Sequence, residues 1–223
     1  TGASVGPELD GELAELGCIA RRYPYQTEQH IRKGINSGKI QFADSRLSKN
    51  SQNMRYGFFG DLDVAIVEAV SITKEGHIIP STSVGNSPTF VRNAGKVIVE
   101  LNTTQPLSLE GIHDIYTPLD PPFRKPIPIT DVKDRIGMPW IECDPGKISA
   151  IVVSDIGDKQ RPLSEIDDLS QKMAGNLLDF LSIEVKASRL PSNLLPLQSG
   201  VGNVANAVLS GLKDWSTDGL LVY

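Results

Sequence analysis

Three short runs of β-branched residues constrain the fold of this chain more than any other feature of its sequence. DVAIVEAV (63–70), KVIVELN (96–102) and KISAIVVSD (147–155) each read as a strand bounded by turn residues. Continuous apolar runs of this kind are typical of strands that are buried on both faces of a sheet. Because segments with helical spacing separate the strands, the sequence predicts an α/β fold with a mainly parallel sheet.

The helices are predicted from apolar residues that recur at three- and four-residue steps. The first covers residues 7–22, the second 28–35, and the last 203–213, before the strand GLLVY. A long helix is predicted to begin at Ser164, with Asp167 as the acidic partner in a variant of the capping box. We expect its apolar face to lie in the core; this face consists of Ile166, Leu169, Met173, Leu177 and Phe180.

Two further segments are predicted to lack long regular elements. A turn at Glu75 and Gly76 joins two extended pieces, which are then antiparallel. Residues 117–130 contain five of the 15 prolines and predict an ordered surface loop, with a proline-rich ligand for a partner domain as the alternative.

Bulk properties exclude several classes of function. A formal net charge of −5 without any basic run argues against nucleic acid as a partner, and no apolar stretch is long enough to cross a membrane. Cys18 and Cys143 lie far apart, and two thiols in a chain of this size suggest a reducing compartment. The histidines at 30, 77 and 113 form no Cys/His cluster, so we expect no metal site.

The segment Gly200-Val201-Gly202-Asn203-Val204-Ala205 fits the pattern G-x-G-x-x-A at the start of a helix. Glycines allow a tight turn and a close approach of ligand to backbone, and free N–H groups at a helix start favour an anion. The pattern alone leaves a dinucleotide site and an ordinary strand–helix turn equally open.

The surrounding residues carry a resemblance to a known family. LPLQSGVGNVANAVLSGL resembles the oxyanion loop and following helix of the acetyl-CoA hydrolase / acetate CoA-transferase family, a branch of the class I CoA-transferases. TGASVGPELDG, RKGINSGKIQFAD, DVAIVEAVSITKEGHIIPSTSVGNSPTF, VIVELN and GIHDIY are similar to further family segments, in the family's order. The resemblance covers nearly the whole chain.

This resemblance implies an open α/β/α sandwich of the CoA-transferase (NagB/RpiA-like) type, incomplete at both ends. Residues 1–155 are expected to form an amino-terminal domain that lacks its start, and 156–164 a linker. Residues 165–223 are expected to begin a second domain of the same type. The chain is therefore expected to be an amino-terminal and central fragment.

The resemblance also implies site residues. Gly200, Val201, Gly202, Asn203 and Val204 are expected to bind the CoA thioester, with the Val201 amide as donor to the oxyanion. Ser4 is a possible substrate contact, with a helix N-cap as the alternative. Lys159 and Arg161 are possible contacts to CoA phosphates, with a solvated surface role as the alternative.

The nucleophile of the family is a glutamate that is expected just after Tyr223, so the chain alone is expected to be inactive. Glu68 and Glu100 are the internal candidates for a nucleophile, but we expect them to accept hydrogen bonds at strand ends instead. The turn SVGNSPTF (83–90) is either part of the acyl pocket or a plain helix start.

The resulting hypothesis is an acyl-CoA:carboxylate CoA-transferase of the acetate or succinate type, working through a glutamyl-CoA thioester, or an acetyl-CoA hydrolase. The alternative is a non-catalytic nucleotide-binding module that uses the turn from Gly200 to Ala205. Acyl-CoA and small carboxylates are the expected partners, with coenzyme A as substrate and no permanently bound cofactor. We expect a homo-oligomer at full length, in the bacterial cytoplasm or a mitochondrion.

Overall fold

The computed structural model describes residues 7–23, 26, 28–157, 165–200 and 202–215. A π-helical turn (Pro7–Gly11) leads into the first α-helix, and short 3₁₀ turns occur at Leu107–Leu109, Pro145–Lys147 and Leu212–Asp214. The helices are α1 (Glu12–Glu15), α2 (Gln29–Asn36), α3 (Leu47–Arg55), α4 (Ser87–Asn93), α5 (Asp168–Lys186) and α6 (Asn203–Gly211). The strands are β1 (Arg21–Arg22), β2 (Gln41–Phe42), β3 (Leu62–Ile72), β4 (Ile78–Pro80), β5 (Ala94–Asn102) and β6 (Ile148–Ser154).

Contacts between residues divide the chain into two compact units. Thr1–Pro128 and Arg135–Lys159 form unit 1, and Ile129–Asp134 and Gln160–Tyr223 form unit 2. The domain boundary expected at 156–164 stays a prediction.

The main sheet of unit 1 has four strands in the order β4-β3-β5-β6. β3, β5 and β6 are parallel, and β4 returns antiparallel to β3 through a turn in which Gly76 has a φ of 86°. β1 and β2 form a separate parallel pair. The predicted α/β class, the mainly parallel sheet and the turn at Gly76 are confirmed, and residues 117–130 contain no helix or strand.

The core of unit 1 lies on one face of this sheet. It joins alternate residues of β3 and β5 to Ile78, Val91, Ile141 and Cys143. Burial on both faces, which the sequence predicted, is wrong for the described residues: Ile66 is 61% exposed and Val153 of the edge strand β6 is 66% exposed. The physical reason is that α4, which packs on β3 and β5, covers one face only.

The first helix is shorter than predicted. α1 ends at Glu15, and Gly17 follows with a φ of 69°, a conformation that favours glycine and ends helices. The N–H of Cys18 donates to the Leu13 carbonyl at 2.9 Å, which closes the helix end. Residues 21–22 consequently belong to β1 rather than to the helix. The predicted second helix agrees with α2, for which the Glu28 side chain accepts the Ile31 N–H.

In unit 2, α5 packs against α6 through a face that buries Ser170 and Ala174. The helix begins at Asp168, not at Ser164, because the Asp167 carboxylate accepts the Ser170 N–H at 2.7 Å and caps it. Ser164 lies outside the described residues. The apolar stripe expected in the core is instead exposed by 37 to 68%, so that prediction is wrong for the described residues; the stripe comprises Ile166, Leu169, Met173, Leu177 and Phe180.

Candidate functional site

The glycine turn before α6 has the backbone that its sequence predicted. Gly202 precedes the helix with a φ of 140° and a ψ of 168°, a combination open only to glycine. A side chain added at Gly200 or Gly202 would meet no heavy atom of the described residues within 4 Å. The backbone at this turn is therefore open to the approach of a ligand.

Backbone N–H donors are free at the start of α6, next to this turn. Gly202 offers α6 no side-chain cap, and its carbonyl already accepts the Asn206 N–H at 2.9 Å. The N–H groups of Asn203 and Val204, in the first turn, have no acceptor within the helix. They form an electropositive group of donors that suits an anion or a developing oxyanion.

The Asn203 side chain has a different neighbour. It lies close enough to the Asp167 carboxylate to help lower the pKa of Asp167, although the hydrogen bond from the Ser170 backbone N–H is the larger cause. Asn203 thus joins the start of α6 to the start of α5. Its backbone N–H, rather than its side chain, is the group left for a ligand.

Glu68 and Glu100 lie side by side in the register of β3 and β5, toward the carboxyl ends of both strands. Glu68 accepts hydrogen bonds from the Ser81 hydroxyl at 2.5 Å and the Asn102 amide at 2.7 Å. Glu100 accepts one from Ser154 at 2.7 Å. Both carboxylates therefore have the structural role that we expected for them at strand ends.

The turn 83–90 forms the start of α4, with Pro88 in its first turn. Val84, Gly85 and Pro88 also line a cavity of about 460 Å³ in unit 1. The turn is thus both a helix start and a cavity wall. A larger cavity of about 710 Å³ lies at the amino ends of β3 and β5, where Arg55 and Lys96 stand beside Asp61 and Asp63.

Several residues predicted for the site lie outside the described residues: Ser4, Lys159, Arg161 and Val201. The structure brings Gly200, Gly202, Asn203 and Val204 together at one turn. Within the described residues, no group of three or more His, Cys, Asp or Glu side chains is arranged to hold a metal ion. None of the helices described has the length and apolar composition that a membrane crossing requires.

The chain is similar in sequence to proteins of known activity and to one family model. The model of the acetyl-CoA hydrolase/transferase N-terminal domain matches residues 1–153. The chain is 52% identical over 223 residues to a succinyl-CoA:acetate CoA-transferase of Clostridium kluyveri, covering all of this chain and 41% of that protein. It is 47% identical over 228 residues to an acetyl-CoA hydrolase of Yarrowia lipolytica, covering all of this chain and 43% of the relative. The chain thus spans about two fifths of the length of these relatives.

Solved structures show the same fold at low sequence identity. The crystal structure of RipA from Yersinia pestis matches with a TM-score of 0.58 and 17% identity, over 96% of this chain and 42% of the other. A 4-hydroxybutyrate CoA-transferase from Porphyromonas gingivalis matches with a TM-score of 0.52 and 18% identity, over 91% and 43%. The CoA-transferase type of fold is confirmed, and the alternative of a nucleotide-binding module gains no support. Since the family model matches more than half of its residues, the chain belongs to the acetyl-CoA hydrolase/transferase family.

Proposed function

We propose that the chain is part of an acyl-CoA:carboxylate CoA-transferase of the acetate or succinate type, or of an acetyl-CoA hydrolase. The observation that carries this proposal is the similarity, over the whole chain, to proteins named for these two activities. The open glycine turn is the part of the chain whose geometry suits such chemistry.

The proposed reaction proceeds through a glutamyl-CoA thioester. A glutamate carboxylate attacks the acyl-CoA carbonyl, which forms a mixed anhydride and releases the CoA thiolate. The thiolate then attacks the glutamyl carbonyl, which forms the glutamyl-CoA thioester and frees the first acid. An incoming carboxylate attacks the glutamyl-CoA thioester, which forms a second mixed anhydride and releases the CoA thiolate. The thiolate then attacks the acyl carbonyl of this anhydride, which forms the new acyl-CoA and frees the glutamate. When water attacks in place of the carboxylate, the result is hydrolysis.

Each of these steps passes through a tetrahedral oxyanion, which needs N–H donors already aimed at it. We assign this task to the turn from Gly200 to Val204, with the Val201 amide as the main donor. The unshielded backbone at Gly202 and the free N–H groups at the start of α6 support the assignment.

The nucleophile is not assigned to any residue of the chain. Glu68 and Glu100 accept hydrogen bonds from neighbouring side chains, which supports a structural role for both. The position of the family's catalytic glutamate stays a prediction. The roles of Ser4, Lys159 and Arg161 stay predictions, as do the two-domain boundaries, the homo-oligomer and the compartment.

The test is Gly202→Val in the full-length protein. The Gly202 φ of 140° is closed to valine, so the substitution must turn the backbone donors away from their positions. Loss of one such donor costs roughly 3–4 kcal/mol of barrier, and we expect kcat to fall by at least one to two orders of magnitude. Turnover is measured with acetyl-CoA, with and without an acceptor carboxylate, which separates transfer from hydrolysis.

The matched control is Gly175→Ala, an exposed position within α5 with no heavy atom near its added side chain. Its kcat should equal that of the parent protein. A folded Gly202→Val protein with near-normal turnover would show that the turn does not face the reaction.

A further inference from the structure

The two edges of the main sheet of unit 1 differ in how they are protected. At one edge, β4 is three residues long and buried, and Ile78 exchanges backbone hydrogen bonds with Ile141 at 2.8 and 2.9 Å. At the other edge stands β6, and within the described residues no strand pairs with its outer side. Because folded proteins usually cover, shorten or charge their sheet edges, an open edge is a place where a further strand can add.

The sequence of β6 leaves this edge without the usual safeguards. The strand ISAIVVS contains no charged residue and no proline. Ile151, Val152 and Val153 are each more than half exposed. A long apolar edge strand of this composition readily pairs with another strand.

Backbone groups of β6 are directed toward the open side. The Ser154 carbonyl accepts the Thr103 N–H at 2.8 Å, so it points toward β5. Because consecutive residues of a strand direct their backbone groups to opposite sides, the N–H and C=O groups of Ile151 and Val153 point outward. These groups are aligned to form a ladder with an added strand.

The core of unit 1 also ends abruptly at β6. Ile151 lies beside Val99 in the register of β5 and β6, on the face of the sheet that holds the core. Val99 is fully buried, whereas Ile151 is more than half exposed, because α4 packs on β3 and β5. A strand added at β6 would cover the flank of Ile151 and Val153 and extend the apolar layer.

The charges that flank β6 favour a second copy of this chain as the added strand. Lys147 precedes the strand and Asp155 follows it, each four positions from Ile151. Two antiparallel β6 strands with a two-fold axis at Ile151 therefore place Lys147 of each copy opposite Asp155 of the other, which is favourable. Lys147 Nζ donates to the Arg92 carbonyl at 2.8 Å, and this bond leaves its charge unneutralised.

The same arrangement satisfies the backbone. With the axis at Ile151, the outward N–H and C=O groups of this residue face those of its counterpart in the second copy, and each pair can exchange two hydrogen bonds. A parallel pairing in register would instead set like charges opposite each other, which is unfavourable.

We propose that two copies of this chain associate through β6, as antiparallel strands with a two-fold axis at Ile151, so that their sheets join into one. Because the β4 edge is protected, the association closes at two copies. A single strand pair makes a small interface, so we expect a dissociation constant in the micromolar range. The proposal does not depend on the transferase or hydrolase reaction.

Sedimentation velocity of the 223-residue chain from low to high micromolar concentration should show a monomer–dimer equilibrium. Ile151→Lys should weaken the dimer by at least about tenfold, because it places two like charges at the axis of an apolar contact. Ile66→Lys is the matched control, since it makes the same change at an exposed position of β3 that is not at the open edge. Its dimerisation should equal that of the parent chain, and circular dichroism verifies that both variants are folded.

The register is tested by exchanging the flanking charges. Asp155→Lys should weaken the dimer several-fold, although it lowers the net negative charge of each copy, because lysines then stand opposite each other. Adding Lys147→Asp to this variant should restore the dimer. Both positions lie outside the apolar strand, so this test serves if Ile151→Lys fails to fold.

Cysteine cross-linking measures the same register directly. Cys18, which is exposed, is first replaced by serine. Oxidation should then link Ile151→Cys chains in pairs, because facing Cα atoms of a hydrogen-bonded antiparallel pair are about 5.5 Å apart, within the range that a disulfide spans. Val152→Cys, one position away from the axis, should stay unlinked.

The proposal is overturned if the folded parent chain is monomeric at high micromolar concentration, or if species larger than the dimer form. Equal losses in Ile151→Lys and Ile66→Lys would also overturn it, because they would mean association through the face of the sheet. Failure of Lys147→Asp to restore the Asp155→Lys dimer, or equal cross-linking at positions 151 and 152, would overturn the register and with it the two-fold pairing.

Discussion

Gly137 shows how one absent side chain lets two segments of unit 1 come together. Met138 and Ile115 exchange backbone hydrogen bonds at 2.8 and 3.0 Å, and a Cβ on Gly137 would lie within 2.7 Å of the Ile115 backbone N. Because backbone cannot move aside as a flexible side chain can, we expect Gly137→Ala to lower the free energy of unfolding by about 1–3 kcal/mol. Urea unfolding followed by circular dichroism measures this change.

The same substitution at Gly175 should act in the opposite direction. Gly175 lies within α5, and an added Cβ there meets no heavy atom within 4 Å. Because glycine loses more backbone entropy than alanine in a helix, Gly175→Ala should raise the free energy of unfolding by about 0.5–1 kcal/mol. If Gly137→Ala and Gly175→Ala both lowered the free energy of unfolding, the space around each glycine would not decide the effect of the substitution, and this prediction would be wrong.

Single residues also show which features of the structure can be predicted from the sequence. The turn at Gly76 and the glycines before α6 were predictable because their signals are local. The buried pair of Arg22 and Asp10, joined at 2.6 Å, was missed because its partners meet only after β1 and the first turn of the chain have packed. The sequence pattern predicts Asp167 three positions inside the helix, whereas the structure has it as the N-cap, because pattern alone does not say which acidic or hydroxyl residue becomes the cap.

At the scale of elements, the sheet has two faces that should respond differently to truncation. Ile78 of β4 is 0% exposed within the core, whereas Ile66 of β3 is 61% exposed on the opposite face. Ile78→Ala removes buried methyl groups and leaves a cavity, so we expect a loss of about 2–5 kcal/mol. Ile66→Ala should cost less than about 1 kcal/mol, because most of its surface already lies in water.

The two isoleucine variants are compared by urea unfolding of the same chain. Equal and large losses would mean that the second face is covered in solution. Equal and small losses would mean that the core assignment of Ile78 is wrong.

Element type was predictable where hydrophobic periodicity was strong, as in β3, β5 and α2. Burial was less predictable, because a run of β-branched residues does not say which of its faces another element covers. The stripe on α5 makes the same point, since its spacing predicts an apolar face but not the neighbour that covers it. α6 packs instead on the side that holds Ser170 and Ala174.

At the scale of the molecule, the site was only partly predictable. The family, the CoA-transferase fold and the glycine turn follow from long sequence motifs. The cavity lined by Thr89 and Arg124 was not predicted, because its walls are separated by tens of residues and meet only in the folded unit. A sequence motif predicts the local backbone geometry of its own residues, whereas a cavity forms only when segments that are distant in sequence pack together.

Carboxylates with lowered pKa values set how the whole chain responds to acid. Each of three aspartates owes its lowered pKa first to a hydrogen bond: from the Arg55 side chain to Asp120, from the Thr130 N–H to Asp134, and from the Ser170 N–H to Asp167. An acid whose folded pKa is depressed adds stability that is fully present above its unfolded pKa of about 4. That stability is lost as pH falls through the lower, folded pKa.

We therefore expect the free energy of unfolding to be level from about pH 7 to pH 5 as far as these groups are concerned, and to fall as pH drops below about 4. Asp10 acts in the opposite sense, because burial raises its pKa despite the neighbouring Arg22, so acid favours its folded form. Because more aspartates have lowered pKa values than raised ones, the free energy of unfolding should on balance decrease as the pH falls.

Urea unfolding at a series of pH values measures this profile. Asp134→Asn, which cannot ionise, should make the decrease below pH 4 less steep. A profile that rises on acidification, or one that Asp134→Asn leaves unchanged, would contradict this assignment.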